Sequence, residues 1–282
     1  IVAPSAGLAP TASLQEIVAA LRRIYCRTIS YEFEHIESPT VRRWFSNYVE
    51  SLEIPDLAER DGTFHELLVK AEMFEQFAQK KLPSTKRYGL EGSENTVVLL
   101  HQLVSEATEH DIADIVTGLS HRGRMAILGT LFGYPLEHLF RKLRGGSEFP
   151  EGSPYTGDML VDMAKNTVVT MPGSTTPVNI DIVYNACHLE TGTPVGMGKS
   201  RAKDINIARA RGSGTHTVGD HVLPISIHGD SGFAGQGIVA ESLGMSGLAH
   251  FTNGGSVHIV LNNQVGYTTP ASHTRTTRYA SD

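Results

Sequence analysis

Cysteine is scarce. Cys26 and Cys187 are the two in 282 residues. Two cysteines cannot build a disulfide framework, so a reducing compartment is the expectation. Thirteen histidines are present, but no His-Glu-x-x-His exists and the cysteines are far apart, so no zinc signature forms. A basic excess is also missing. Twenty-four Lys+Arg stand against 30 Asp+Glu, a net charge of −6, which argues against a nucleic-acid partner. No apolar run is long enough for a membrane span. Low-complexity stretches and internal repeats are absent. What remains is 40% hydrophobic and 19% charged, the balance of a soluble chain with a sizeable core. The first residue is Ile1 rather than Met, and the last four are Tyr279-Ala280-Ser281-Asp282. A processed or partial chain is the expectation. The opening Ile1 to Pro10 has neither the form of an intact signal peptide nor that of an Arg-rich transit peptide.

Periodicity divides the chain. Residues 13–28, 41–50, 63–81 and 95–110 carry apolar residues at three- and four-residue spacing and are expected as helices. Ser13 with Glu16 forms a capping box at the first. Beyond residue 110 strands and helices alternate. Strands are expected at 112–117, 178–184, 222–227 and 256–261, with a weaker one at 194–197. Helices are expected at 122–132, 135–144 and 238–245, and loops at 145–157 and 212–220. This pattern predicts an α/β domain with a mainly parallel sheet over residues 93–282, after a helical lead segment over 1–92.

Chemistry concentrates near the end. A buried strand runs into His228-Gly229-Asp230, followed by Gly232, Gly235, Gly237 and a helix; the next strand runs into Asn262-Asn263-Gln264. Ligands of open parallel sheets sit at the carboxyl ends of strands. Asp230, Asn263 and the carbonyl of Val265 are hard oxygen donors that suit Mg²⁺. Gly235 to Gly237 at a helix start suits an anion such as a diphosphate. By spacing alone, an Asp helix cap and an Asn-rich turn explain these residues equally well.

Other patterns fail on inspection. Gly229-Asp230-Ser231-Gly232 with an Ile-Val terminus suggests a trypsin-type serine hydrolase, but that class needs an all-β body. Gly196-Met197-Gly198-Lys199-Ser200 misses the P-loop pattern because position 193 is Thr; a strand-end Gly-Lys is expected there. Cys187 and His188, adjacent on a strand, would point to opposite faces.

Five blocks carry a resemblance. They are Arg87-Tyr88-Gly89-Leu90-Glu91-Gly92, Ser120-His121-Arg122-Gly123-Arg124, Asn185-Ala186-Cys187-His188-Leu189-Glu190, the stretch 228–237 and the stretch 257–269. In this order they resemble the thiamine diphosphate-dependent first component of 2-oxoglutarate dehydrogenases over roughly residues 14–282. The stretches 140–151, 156–158 and 266–270 are more similar to the 2-oxoadipate dehydrogenase branch. The resemblance implies the thiamin diphosphate-binding fold, its diphosphate-side domain, here incomplete. It implies oxidative decarboxylation of a dicarboxylic 2-oxo acid, 2-oxoadipate ahead of 2-oxoglutarate. The acyl group would go to the lipoyl arm of an acyltransferase partner, with dihydrolipoyl dehydrogenase in the same complex. A homodimer in the mitochondrial matrix is implied for the full-length protein.

Carried over by position, Asp230, Asn263 and Val265 hold Mg²⁺, and Ser231, Gln236 and Gly237 lie near thiamine diphosphate. His121 and His188 face the substrate as catalytic candidates. Arg87 and Tyr88 belong to the substrate side. Arg122 or Arg124 pairs a substrate carboxylate, with a structural ion pair as the alternative for each. Two departures stand out: Asp162 takes the place of an expected His, and Ala186-Cys187 replaces Pro-Ser. The family's cofactor-activating Glu lies in a further domain, so an inactive fragment or short form that binds Mg²⁺–diphosphate or complex partners is the rival reading.

Overall fold

The computed structural model describes residues 8, 11–52, 61–155, 159–160, 162–185, 188–212 and 217–282. It divides into two compact units, Ile1–Asp61 and Gly62–Asp282. The first holds helices α1 (Leu14–Tyr25) and α2 (Pro39–Ser51). The capping box forms as expected. Glu16 N–H donates to Ser13 Oγ at 3.2 Å, and Ser13 N–H to Glu16 Oε2 at 2.7 Å, so two otherwise orphaned donors are satisfied. Tyr25 Oη donates to Glu50 Oε1 at 3.0 Å, tying the two helices together.

The second unit begins with α3 (Asp61–Lys81) and α4 (Asn95–Glu109). Ala71, Phe74, Val97, Leu100 and Val104 are buried in its main apolar core. A five-stranded sheet follows in the order β2-β3-β1-β4-β5. Its strands are β1 (Asp114–Leu119), β2 (Lys165–Thr170), β3 (Pro177–Ile182), β4 (Val222–Gly229) and β5 (Val257–Leu261). β1 pairs in parallel with β3 and β4, and β4 with β5; β2 is an antiparallel edge. Every residue of β1 is buried, as expected for a central strand covered on both faces. Asp114 registers with Asn179 on one side and Val222 on the other. The chain therefore builds outward from β1 to β3, then crosses to β4. The carboxyl ends of β1 and β4 flank this switch point, where open α/β sheets bind ligands.

Four of the five strands and most helices fall where periodicity puts them, including α6 (Leu136–Leu143) and α9 (Gly237–Met245). Residues 194–197 are different. They are not a strand but part of the 20-residue helix α7 (Gly192–Arg211), and Gly198-Lys199 sits inside it rather than at a strand end. Gly192 and Gly196 are poor helix formers, which hides the helix from local reading. Packing supplies the reason they are there. A Cβ on Gly118 would stand 2.6 Å from the Gly192 carbonyl oxygen, so the helix lies on β1 through contacts that only small residues permit. The edge strand β2 had no expectation either. The π-turn Ile127–Leu131 follows the short helix α5 (Arg124–Ala126). Among the described residues, no helix is long and apolar enough to cross a membrane.

Candidate active site

The loops after β1, β4 and β5 converge on one cavity of about 330 Å³. β1 delivers Ser120, His121 and Arg122. β4 delivers Gly229 and Asp230, with Ser231 and Gly232 from the short helix α8 (Asp230–Gly235). The loop after β5 delivers Asn263, Val265, Gly266 and Tyr267, and Tyr88, Leu189 and Glu190 complete the wall. Asp230, Ser231, Asn263 and Val265 are thus together, although 33 residues separate Asp230 from Asn263.

The donor set has an unmet demand. Asp230 Oδ1 and Asn263 Oδ1 are buried and have no hydrogen-bond partner. Buried acceptors without donors are rare, because each costs about 1–3 kcal/mol. Two of them lining one cavity, with Val265 beside them, suit a hard divalent cation. Among the described residues no group of three His, Cys, Asp or Glu side chains forms a metal cluster, so a cation here takes one carboxylate, amide and backbone oxygens, and ligand or water oxygens. That is the manner of Mg²⁺.

His121 lies under Tyr88, ring centres 4.2 Å apart. Burial, and then the charge of Arg122, holds its imidazole below the ordinary value, so it is neutral at pH 7. Tyr88 is held there by its carbonyl, which accepts from Gly123 N–H at 2.8 Å. Its own φ of 45° and the 72° of Gly123 mark a tight joint. Arg122 borders the cavity, with its Nε buried and without a partner.

Several expected residues go elsewhere. Arg87 does not reach the cavity: its guanidinium is taken up by Glu75, Glu91 and Gln79, leaving only Tyr88 of that pair in the wall. Arg124 is fully buried and donates to the carbonyls of Leu119, Met163 and Val183. It is a clamp on strand ends, and of the two arginines only Arg122 lines the cavity. Gln236 and Gly237 are exposed at the start of α9 and outside the cavity. The chain turns into α8 at Asp230, one element earlier than expected, so α9 begins well past the site. His188 is exposed and does not line the cavity either; Cys187 lies outside the described residues. Asp162 borders a separate cavity of about 710 Å³ with Lys165, Asp181 and Lys199.

Two residues of the site had no expected role. Glu190, at a φ of 71°, places Oε2 2.5 Å from His228 Nδ1. His228 in turn meets His258 Nδ1 at 2.8 Å, and His258 meets Ser256 Oγ at 2.9 Å. Arg275 donates from Nη1 to Asp230 Oδ2 at 2.8 Å. It stands 45 residues from its partner, and no local pattern announces the contact.

Residues 67–282 match the family model described as dehydrogenase E1 component. The chain belongs to that family. Within the dehydrogenase E1 components it is 37% identical over 278 residues to the human 2-oxoadipate dehydrogenase complex component E1, covering 96% of this chain and 30% of the relative. The mouse counterpart is 38% identical over 276 residues, with the same coverage. The 2-oxoglutarate dehydrogenase E1 component of Brucella ovis is 36% identical over 275 residues, covering 96% and 27%. The chain thus spans about 30% of the length of these E1 components. The trypsin-type alternative is removed by the mixed α/β body and the family match together.

Proposed function

We propose that the protein to which this chain belongs is a thiamine diphosphate- and Mg²⁺-dependent enzyme that decarboxylates a dicarboxylic 2-oxo acid. The single observation that carries the reading is the pair of buried, donorless oxygens, Asp230 Oδ1 and Asn263 Oδ1, on one cavity wall. Their chemistry matches a divalent cation, and Val265 would add its carbonyl. The chemistry supplied by thiamine diphosphate, when bound, is an electron sink for loss of CO₂. This chain's residues have other tasks. Ser231, on the same cavity wall beside Asp230, would help to hold the diphosphate. Arg122 neutralises a substrate carboxylate, the geometry that a guanidinium fork suits best. His121, neutral and half-enclosed by Tyr88, holds or accepts a proton at a ring nitrogen facing the substrate.

In this reading 2-oxoadipate is the preferred substrate and 2-oxoglutarate the next, an order supported by the likeness to 2-oxoadipate dehydrogenase complex E1 components. The acyl product passes to a lipoyl-bearing acyltransferase, with dihydrolipoyl dehydrogenase completing the complex, in the mitochondrial matrix and with the E1 component as a homodimer. His188, Gln236 and Gly237 stay outside the proposed cation–substrate set in this conformation. The test is calorimetric titration of thiamine diphosphate with and without Mg²⁺, on the whole protein and on its Asp230→Ala variant. Metal-dependent binding in the wild type that disappears in the variant is the expected result. A wild type without metal-dependent binding ends the reading. A strong preference for 2-oxoglutarate turnover would overturn the substrate order.

A further inference from the structure

The two oxygens of Asp230 have different surroundings. Oδ2 accepts from Arg275 Nη1 at 2.8 Å, and the two side chains are 0% and 8% exposed. Oδ1 is buried with no partner, as is Asn263 Oδ1. A carboxylate gripped at one oxygen has little freedom to turn, so the direction of the other oxygen is set by the grip.

The grip is built by the same segment that carries Val265. Strands β6 (Val265–Gly266) and β7 (Thr269–Pro270) form a small hairpin. It closes where Ala271 N–H donates to the Gln264 carbonyl at 3.0 Å. Arg275 N–H then donates to Ala271 O at 3.1 Å, and Arg275 Nη2 to Arg278 O at 3.0 Å. The hairpin is seated against α8 so closely that a Cβ on Gly266 would stand 2.9 Å from Ser231 Cβ and overlap its hydroxyl. One segment therefore carries Val265 to the cavity wall and Arg275 to Asp230. Partners of this kind, behind a metal ligand, fix its orientation.

We propose that Arg275 is a positioning residue for the divalent cation. It holds Asp230 through Oδ2 so that Oδ1 faces the cation position beside Asn263 Oδ1. It also balances the buried carboxylate while the cation is away. The proposal rests on the cation reading above and adds a residue to it. The opposite arrangement, a guanidinium plug that a cation must expel, uses the same pair and changes affinity in the other direction.

The test measures Mn²⁺ alone, without diphosphate or substrate, by electron paramagnetic resonance on the whole protein. Wild type, Arg275→Gln and Arg275→Lys are compared, each with its thermal midpoint. Arg275→Gln weakens Mn²⁺ binding by roughly 10- to 100-fold, and Arg275→Lys recovers part of the loss. A merely structural Arg275 would lower the midpoint and leave the Mn²⁺ affinity of the folded protein unchanged; that result overturns the proposal. Tighter binding in Arg275→Gln overturns it in favour of the plug. If Arg275→Gln does not fold, Arg275→Lys decides: an ammonium cannot hold Asp230 and the Arg278 carbonyl in the guanidinium's geometry, so weaker binding supports the proposal and equal or tighter binding overturns it. A wild type that binds no Mn²⁺ overturns the proposal, an outcome distinct from a change confined to the variants; the cation reading itself stands or falls by the metal dependence of thiamine diphosphate binding.

Discussion

Replacing Arg124 by Met separates a structural arginine from a substrate-binding one. The Arg124 guanidinium is wholly buried and serves three carbonyls, those of Leu119 at the end of β1, Val183 just past β3, and Met163. Methionine keeps much of the volume and none of the donors. Each buried carbonyl that loses its donor costs about 1–3 kcal/mol. Against this stands the cost of burying the charge. Burial pushes the guanidinium well below its ordinary value, to about 10, equivalent to roughly 3 kcal/mol, and that cost disappears with the charge. The difference is a net loss of about 3 kcal/mol, at the upper end of ordinary single substitutions. In urea unfolding followed by circular dichroism, with a slope of about 3 kcal/mol per M, the midpoint falls by about 1 M. Arg124→Lys falls between wild type and Arg124→Met, because an ammonium donates but lacks the fork. An unchanged midpoint and slope in Arg124→Met would refute the clamp. If stability stayed and the KM for the 2-oxo acid rose instead, the guanidinium would belong to the substrate.

Two further perturbations follow from the same geometry. Burial, with His228 adding to it, pushes His258 down to about 4; the unfolded chain titrates near the ordinary 6.5. Between these values the unfolded state binds a proton that the folded state refuses, so this stability is full above pH 6.5 and is lost as pH falls toward 4. His121 adds to the loss with the same sign. Urea midpoints at pH 7, 5.5 and 4.5 should fall with pH, less steeply in His258→Asn; an equal slope in the variant would remove His258 as the source. Gly266→Ala drives a methyl into Ser231 and costs about 1–3 kcal/mol, the usual penalty for overpacking. The double variant with Ser231→Ala recovers part of it in thermal denaturation, and an additive double variant would show that the two do not touch.

Much of this fold is legible along the chain because its signals are local. Ser13 and Glu16 lie three apart and cap α1 by themselves. β4 and β5 are short apolar runs stopped by Gly229 and by Asn262-Asn263, so their carboxyl ends, and the chemistry there, stand out along the chain. Helix α7 is illegible for the opposite reason. Gly192, Gly196 and Gly198 speak against a helix locally, yet the first two are what allow it to lie on Gly118. The start of α8 shows the same split. A glycine-rich turn is visible in 229–237, but whether Asp230 or Gly237 faces the cavity depends on where the chain bends, and the bend is set by packing.

Sequence by itself determined the family and the strands β1, β4 and β5 that lead into the site, and it pointed to Asp230 and Asn263 as candidate oxygen donors, because each of these is carried by a contiguous block of residues. Tertiary structure decided which side chains meet. It placed Arg122 at the cavity, locked Arg124 onto strand ends, kept Arg87 with its acids, and brought Arg275 onto Asp230 from 45 residues away. Arginine is always charged, and its role depends on which acceptor lies within hydrogen-bond reach. That distance is a property of the folded chain, and no spacing in the sequence contains it.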